Sequence, residues 1–295
     1  MQTNSLSLFD AWDASFQAFF SKNIGSKTDK SFWKNHIQPV LGDTPLTDIT
    51  TAQLLKLRIE LENKKLSPQT VHHCLALIRR IFNKSYLLGL HDLQTPKFIM
   101  PKLNNGRVRF LSDYELTKLF NALQCSHLWF SISKFALHTG MRAGEIFDLK
   151  CAHINFQQNG IHIFDTKSCN RFVPLNETSK QIALDFYTEP NSFLFSNNGK
   201  RLIEVNKIFR QAVDSAELND GITDRRQKVV FHTLRHTFAS RLVQNGKTIE
   251  VVSKLLGHSS LQMTMRYAHL SRGQFFDAVN SLDHVPSEHK AIYVS

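Results

Sequence analysis

The chain has 295 residues, long enough for one large domain or two ordinary ones, and its 42% apolar content is that of a packed protein rather than a disordered one. Its net charge of +11 gives it the material for a positive surface of the kind a protein wrapping a polyanion needs. No run of about 18 uncharged apolar residues exists, and the start at Met1-Gln2-Thr3-Asn4-Ser5 lacks the basic-then-apolar plan of a signal peptide. A cytoplasmic protein without a membrane partner is the expectation. Residues 1–100 carry 12 basic against 8 acidic side chains, 101–200 carry 11 against 8, and 201–295 carry 13 against 9, so the excess is spread along the chain. The cysteines, Cys74, Cys125, Cys151 and Cys169, form no Cys-x-x-Cys pair, which predicts buried free thiols rather than zinc or disulfides.

Residues 1–92 read as helices. Leu8, Trp12, Phe16, Phe19 and Phe20 keep helical spacing, as do Phe32, Trp33, His36 and Ile37, then Leu54, Leu55, Leu57, Ile59 and Leu61. Ser67-Pro68 supplies a cap and first position for a further helix, whose apolar stripe is Val71, Cys74, Leu75, Ile78, Ile81 and Phe82. His72, Arg79, Asn83 and Lys84 of that helix form either a solvated face or one turned to DNA phosphates. Periodicity stops over 93–110. There Lys97 to Arg109 contains Pro101, Asn104, Asn105, Gly106, four basic residues and no acid, which reads as a basic interdomain linker.

A second domain, 111–295, opens on the capping box Ser112-Asp113-Tyr114-Glu115. Helices are predicted near 112–123 and 126–139. Alternation at Ile154/Phe156, Ile161/Ile163 and Phe172/Val173, with a turn at Asn159-Gly160, predicts a small antiparallel sheet. Helices return near 176–187, 204–218, 233–244, 248–256 and 272–281. The fold class is mainly α: a small helical domain, then a mostly helical domain with one small antiparallel β-sheet.

Three stretches of the second domain stand out for chemistry: Thr139-Gly140-Met141-Arg142-Ala143-Gly144-Glu145-Ile146, His232-Thr233-Leu234-Arg235-His236-Thr237, and Leu255-Leu256-Gly257-His258 with Tyr267 nine residues on. A planar, permanently charged guanidinium binds a phosphate through two donors, so two arginines from separate segments suit the charge that builds on a phosphorus under attack. These motifs, in this order, closely resemble the tyrosine recombinase (phage integrase) family over about Leu111 to Leu270. The resemblance extends more weakly to the N-terminal helices, which look like the family's core-binding (SAM-like) domain. Thr166-Lys167-Ser168 before Arg171-Phe172-Val173-Pro174-Leu175 matches the family's hairpin lysine.

The resemblance implies a site-specific DNA recombinase that cuts and rejoins strands through a 3′-phosphotyrosyl link and a Holliday junction. Tyr267 would be the nucleophile and Arg142 and Arg235 the phosphate clamp. His232 would assist as base, Lys167 would protonate the leaving 5′ oxygen, and His258 would donate to the scissile phosphate. No cofactor and no metal is expected: the sequence offers no carboxylate cluster to hold magnesium, and Thr233 stands where a zinc protease motif needs Glu between His232 and His236. Glu145, at i+3 from Arg142, reads as a supporting partner, His236 as a residue that either packs or supports a site side chain, and His269 as structural.

The partners implied are double-stranded DNA recombination sites, a homo-tetramer on that DNA, and an accessory DNA-bending or directionality protein. Phe275, Phe276 and Val279 either pack on a neighbouring copy or close their own domain. The hairpin wording favours integration or excision of a mobile element. The chain is expected to start at the core-binding domain, without the arm-binding domain some integrases carry, which keeps a Xer-like resolvase or DNA invertase open. A type IB topoisomerase and, from another class, a catalytically silent DNA-binding regulator are the remaining alternatives; the intact Arg, Lys, His, Arg, His and Tyr set argues against the regulator.

Overall fold

Ser7 starts the first helix, α1 (Leu8–Ser15), by accepting the Asp10 amide at 3.1 Å while Asp10 accepts the Ser7 amide at 3.1 Å. A computed structural model of the chain describes residues 6–22, 25–103, 109–163, 170–271 and 279–284. It divides into two units, 1–105 and 106–295. In the first, α1 runs on into a π-helical turn, Phe16–Phe20, and α2 (Ser26–Phe32) passes through a second, Trp33–Ile37, into α3 (Gln38–Leu41). Trp12 stacks on Trp33, with ring centroids 4.9 Å apart and planes 12° apart.

Two longer helices complete this unit. Thr50 caps α4 (Thr51–Asn63), and Ser67 caps α5 (Pro68–Leu87), with Pro68 in the first turn as predicted. The predicted α5 stripe is buried throughout. In α4 only Leu54, Leu57 and Leu61 are buried; Leu55 and Ile59 are exposed, because five apolar residues in eight positions span more than the one face a helix can bury. Residues 93–103 have no regular secondary structure, yet Leu93, Phe98 and Met100 pack against this core.

The second unit begins with Arg109 paired to Glu115. Glu115 also completes the predicted capping box of α6 (Asp113–Leu123), accepting the Ser112 amide at 2.9 Å. The Arg109 hydrogen bond holds its carboxyl down at about 2, against the upward pull of burial. Next come α7 (His127–Thr139) and α8 (Ala143–Phe147). The three-stranded antiparallel sheet is ordered β1 (Ile154–Asn155), β2 (Gly160–Ile163), β3 (Arg171–Pro174), with Ile161 opposite both Ile154 and Val173. Asn159, at φ 48°, turns the chain into β2. The Phe172 ring lies over Gly160, where a Cβ would come within 1.9 Å of it and displace the half-exposed ring.

After α9 (Glu177–Phe186) comes a hairpin absent from the sequence reading, β4 (Ser196–Asn197) and β5 (Lys200–Arg201). Its two turn residues, Asn198 and Gly199, both have positive φ (49° and 74°), as a tight two-residue hairpin turn demands. There follow α10 (Lys207–Ser215), α11 (His232–Gln244), α12 (Ile249–Leu256) and the 3₁₀ segments Met265–Ser271 and Ser281–His284. The helix expected near 272–281 falls mostly outside the described residues, including Phe275 and Phe276; Val279 is exposed.

The main core is aromatic: Trp129 meets Phe147 and Phe231 edge-on, and Phe209 meets Phe231 likewise. A second cluster, Ala239, Val243, Val252, Leu256 and Tyr267, joins α11, α12 and the 3₁₀ segment. The architecture is thus mainly helical with a small antiparallel sheet, as the sequence predicts. Cys74 and Cys151 are buried, with burial pushing the Cys74 thiol up to about 11, but Cys125 is exposed, contrary to expectation; it follows the C-terminus of α6, beyond the last core-facing residue, Leu123. No helix among the described residues is long and apolar enough to cross a membrane.

Gly140 ends α7 in the left-handed conformation (φ 64°), and a Cβ there would stand 2.4 Å from the Phe238 ring; Gly246 shares the conformation (φ 82°) with open space around it. Gly246→Ala should therefore cost only the backbone term, about 1–2 kcal/mol. Gly140→Ala should cost a further 1–3 kcal/mol or so for overpacking. Urea unfolding midpoints of the two variants measure the difference; equal losses would contradict the packing account.

Candidate functional site

Arg235 lies in the first turns of α11, a helix that also buries its neighbours Thr233 and Leu234, and it is only 3% exposed. The guanidinium donates to the Gly140 carbonyl at 2.7 Å and to the Leu256 carbonyl at 2.6 Å. These carbonyls close α7 and α12, which both stop on a left-handed glycine, Gly140 and Gly257. A cation is well placed there, since the C-terminal end of a helix carries partial negative charge. The bonds hold Arg142, two residues past Gly140, and His258, two past Leu256, close to α11. Burial, then the charge of Arg142, lowers Arg235 to about 10, against the pull of Glu145; it stays a cation at neutral pH.

Arg142 precedes α8, with its side chain partly exposed. Glu145 accepts its amide at 2.7 Å and its guanidinium at 2.8 Å. The same carboxylate accepts two bonds from Arg171 on β3, at 2.8 and 2.7 Å, so it ties the sheet to the Arg142 turn. Burial alone would raise Glu145; the Arg171 bonds and charge, with the Arg142 bonds, outweigh it and keep the carboxyl low. Arg171 is 5% exposed and packs under Gly257, where a Cβ would meet its Cδ at 2.5 Å. Arg171 thus touches both the Arg142 turn and the His258 loop, a role the sequence reading missed although the residue lay in the quoted hairpin wording.

His258 is bonded through Nδ1 to the buried Thr264 hydroxyl at 2.7 Å, and the Tyr267 amide donates to the Thr264 carbonyl at 2.9 Å. Thr264 therefore couples the His258 loop to the 3₁₀ segment. Tyr267 is 1% exposed, and its hydroxyl lies 2.6 Å from Nδ1 of His236. Of the two roles open to His236, packing or support of a site residue, the geometry fits support: it stands one turn beyond His232, whose ring it meets edge-on at 4.7 Å, and it bonds the phenol. The sequence does not name its partner, because His236 lies 31 residues from Tyr267. His269, expected to be structural, is exposed, because the 3₁₀ segment buries Tyr267 and turns position 269 outward.

Arg142, His232, Arg235, His258 and Tyr267 are thus brought together; Lys167 lies outside the described residues. The electrostatics of the cluster are one-sided. His258 is lowered to about 4 by burial and by the charges of Arg235, Arg142, Arg266 and Arg171. His236 is lowered to about 3 by burial, then by His232, Arg266, Arg235 and His258. His232 has a solvent-exposed edge, yet loss of solvent on its other side and the charges of Arg235 and Arg142 lower it too. Burial raises Tyr267 to about 12 despite Arg266 and Arg235. Arginines outnumber the lone carboxylate, Glu145, among the groups acting on these histidines, which leaves the site disposed to take an anion.

The Phage integrase family model matches residues 109–274. The chain is 29% identical over 248 residues to a tyrosine recombinase of Pseudothermotoga lettingae, covering 80% of this chain and 85% of that one. It is 31% identical over 209 residues to the integrase of Salmonella phage P22, covering 65% of this chain but 51% of that one. Among solved structures, the integrase of transposon Tn1549 in complex with transposon right end DNA matches with a TM-score of 0.76 at 16% identity, over 93% of this chain and 100% of that one. A lambda integrase tetramer bound to a Holliday junction matches with a TM-score of 0.72 at 20% identity, over 90% and 78%. The fold is that of the tyrosine recombinases. The chain belongs to the phage integrase family, whose members are enzymes that cut and rejoin DNA strands.

Two outcomes follow from the site's electrostatics. Glu145→Gln leaves Arg171 buried without its counter-charge and should destabilise the chain by about 3 kcal/mol in chemical denaturation; a loss below about 1 kcal/mol would mean that Glu145 does not hold the turn. Acid should also act through His236 and His258. Their folded values lie below the ordinary 6.5, so between pH 6.5 and about 4 the unfolded chain binds more protons than the folded one. The stability they contribute is complete above pH 6.5 and is lost as pH falls through that window. Thermal unfolding should show Tm falling from pH 7 to about 4.5, with a shallower fall in His236→Asn.

Proposed function

We propose that this chain is an integrase-type site-specific recombinase in which Tyr267 attacks a backbone phosphate. The observation that carries the reading is the cluster around Arg235: two arginines, three histidines held neutral, and a tyrosine hydroxyl around a site short of negative charge. The phosphorus would accept the Tyr267 oxygen as its bond to the 5′ oxygen breaks. The result is a 3′-phosphotyrosyl link that keeps the bond energy for rejoining without ATP. Arg142 and Arg235 would neutralise charge on the non-bridging oxygens, and His258, anchored through Nδ1, would donate a further hydrogen bond. His232 would take the phenolic proton, and Lys167 would give a proton to the departing 5′ oxygen.

Residues 1–92 would bind DNA as a core-binding domain, with 93–110 as a basic linker and 111–295 as the catalytic domain. A homo-tetramer on paired recombination sites would pass through a Holliday junction, as the assembly of lambda integrase on such a junction suggests. Likeness to a phage integrase and a transposon integrase supports integration or excision of a mobile element.

A nicked suicide duplex, carrying the sequence this protein enriches from a randomised DNA pool, tests the reading. Wild-type protein should become covalently attached at the 3′ phosphate, and Tyr267→Phe should bind the duplex without attaching. Arg142→Ala should attach about 100- to 1,000-fold more slowly, the usual cost of losing one transition-state donor. Attachment by Tyr267→Phe would remove Tyr267 from the nucleophile's place.

A further inference from the structure

If Tyr267 is the nucleophile, its surroundings in this arrangement are the opposite of what attack needs. The side chain belongs to the apolar cluster of Ala239, Val243, Val252 and Leu256, and only 1% of the residue is exposed. A phosphate cannot reach a hydroxyl so covered unless the ring moves. The hydroxyl is also engaged, 2.6 Å from Nδ1 of His236. Phenol is a stronger acid than a neutral imidazole N–H, so the Tyr267 O–H donates and Nδ1 accepts, which places the imidazole proton on Nε2.

We propose that His236 is a positioning residue that latches Tyr267 in a resting arrangement, with the phenol protonated and covered until DNA displaces it. The proposal rests on Tyr267 being the nucleophile. Three observations carry it: the short bond, the burial of the ring it holds, and the place of His236 on the same helix as Arg235 and His232. A neutral imidazole is needed for the latch, and burial together with His232, Arg266, Arg235 and His258 keeps His236 neutral far below physiological pH. His236 cannot serve as acceptor and charged donor at once, so the surrounding cations maintain the latch. The release is local. The Tyr267 backbone hangs on a 3₁₀ segment joined to the His258 loop through Thr264, so a phosphate that engages His258 pulls on the element that carries the ring. Hydroxyl and proton would then leave His236 together, and the proton would pass to His232 during attack.

The DNA-free protein provides the first test, with tetranitromethane as probe and nitrated tyrosines mapped by mass spectrometry. Tyr114 is 73% exposed and serves as the internal standard. In wild type, Tyr267 should be nitrated far more slowly than Tyr114. His236→Phe keeps a ring of similar size but removes the acceptor, and should raise nitration at Tyr267 by about 5- to 10-fold, the weight of one net hydrogen bond. His236→Asn offers Oδ1 near the place of Nδ1 and should stay close to wild type. An unchanged rate in a folded His236→Phe, or equal rises in both variants, would overturn the latch.

A second measurement needs no change at His236. Imidazole ¹⁵N spectra of wild type at pH 6 should show His236 neutral with an unprotonated Nδ1, and Tyr267→Phe should shift that signal; no response to Tyr267→Phe would count against the bond. On the suicide duplex, folded His236→Phe should attach several-fold faster than wild type, since a ground-state restraint is gone. Slower attachment would overturn the latch and make His236 a group needed in the transition state. Failure of the nucleophile reading looks different: Tyr267→Phe would itself attach.

Discussion

A buried guanidinium must find acceptors for its donors or destabilise the fold that buries it. Arg235 meets that demand with two main-chain carbonyls, those of Gly140 and Leu256, at the ends of helices far apart in sequence. Each helix can present its terminal carbonyl because a glycine in left-handed conformation ends it at that point. The consequence is geometric. Whatever follows those two glycines, Arg142 in one case and His258 in the other, is delivered to the same place as the residues on α11. Arg235 is thus a structural tie as well as a proposed phosphate ligand.

That tie concentrates positive charge, and the fold offsets it sparingly. Among the described residues Glu145 alone bridges Arg142 and Arg171, and it is nearly buried while doing so. Further carboxylates would have offset more of the charge but would have competed with any phosphate. Burial, and then the remaining repulsion, keeps the histidines neutral. Neutral imidazoles can accept as well as donate hydrogen bonds: His236 can accept from Tyr267, and His258 has a ring nitrogen not used by Thr264.

Much of this was legible in the sequence, for identifiable reasons. The stripes of α5 and the capping box of α6 are local codes, since spacing and cap chemistry act within one or two turns, and both appear where the residues put them. Arg142, His232, Arg235, His258 and Tyr267 were legible as motifs with a known order. What escaped were pairings between distant segments. Nothing in the wording of β3 says that Arg171 turns to Glu145, 26 residues earlier, or packs under Gly257. Thr264 carries no motif, and its importance comes from bonding forward to the Tyr267 amide and sideways to His258. The β4–β5 hairpin was missed for another reason: its strands are two residues each, too short for alternation, although Asn198-Gly199 is a strong turn signal.

The location of Tyr267 follows from the same contrast between local and distant control. A tyrosine on a long core helix would be fixed by that helix's own hydrogen bonds and packing, and could change position only with the whole element. Tyr267 instead belongs to a short 3₁₀ segment, a form with weaker hydrogen-bond geometry than an α-helix. Its side chain is nevertheless anchored at both ends, by apolar packing along the ring and by His236 at the hydroxyl. A weakly held backbone with a firmly held side chain concentrates control of the proposed nucleophile in side-chain contacts. Those contacts involve the same α11 that supplies Arg235 and His232, so occupancy of the proposed phosphate site and the state of the tyrosine would be read by one helix.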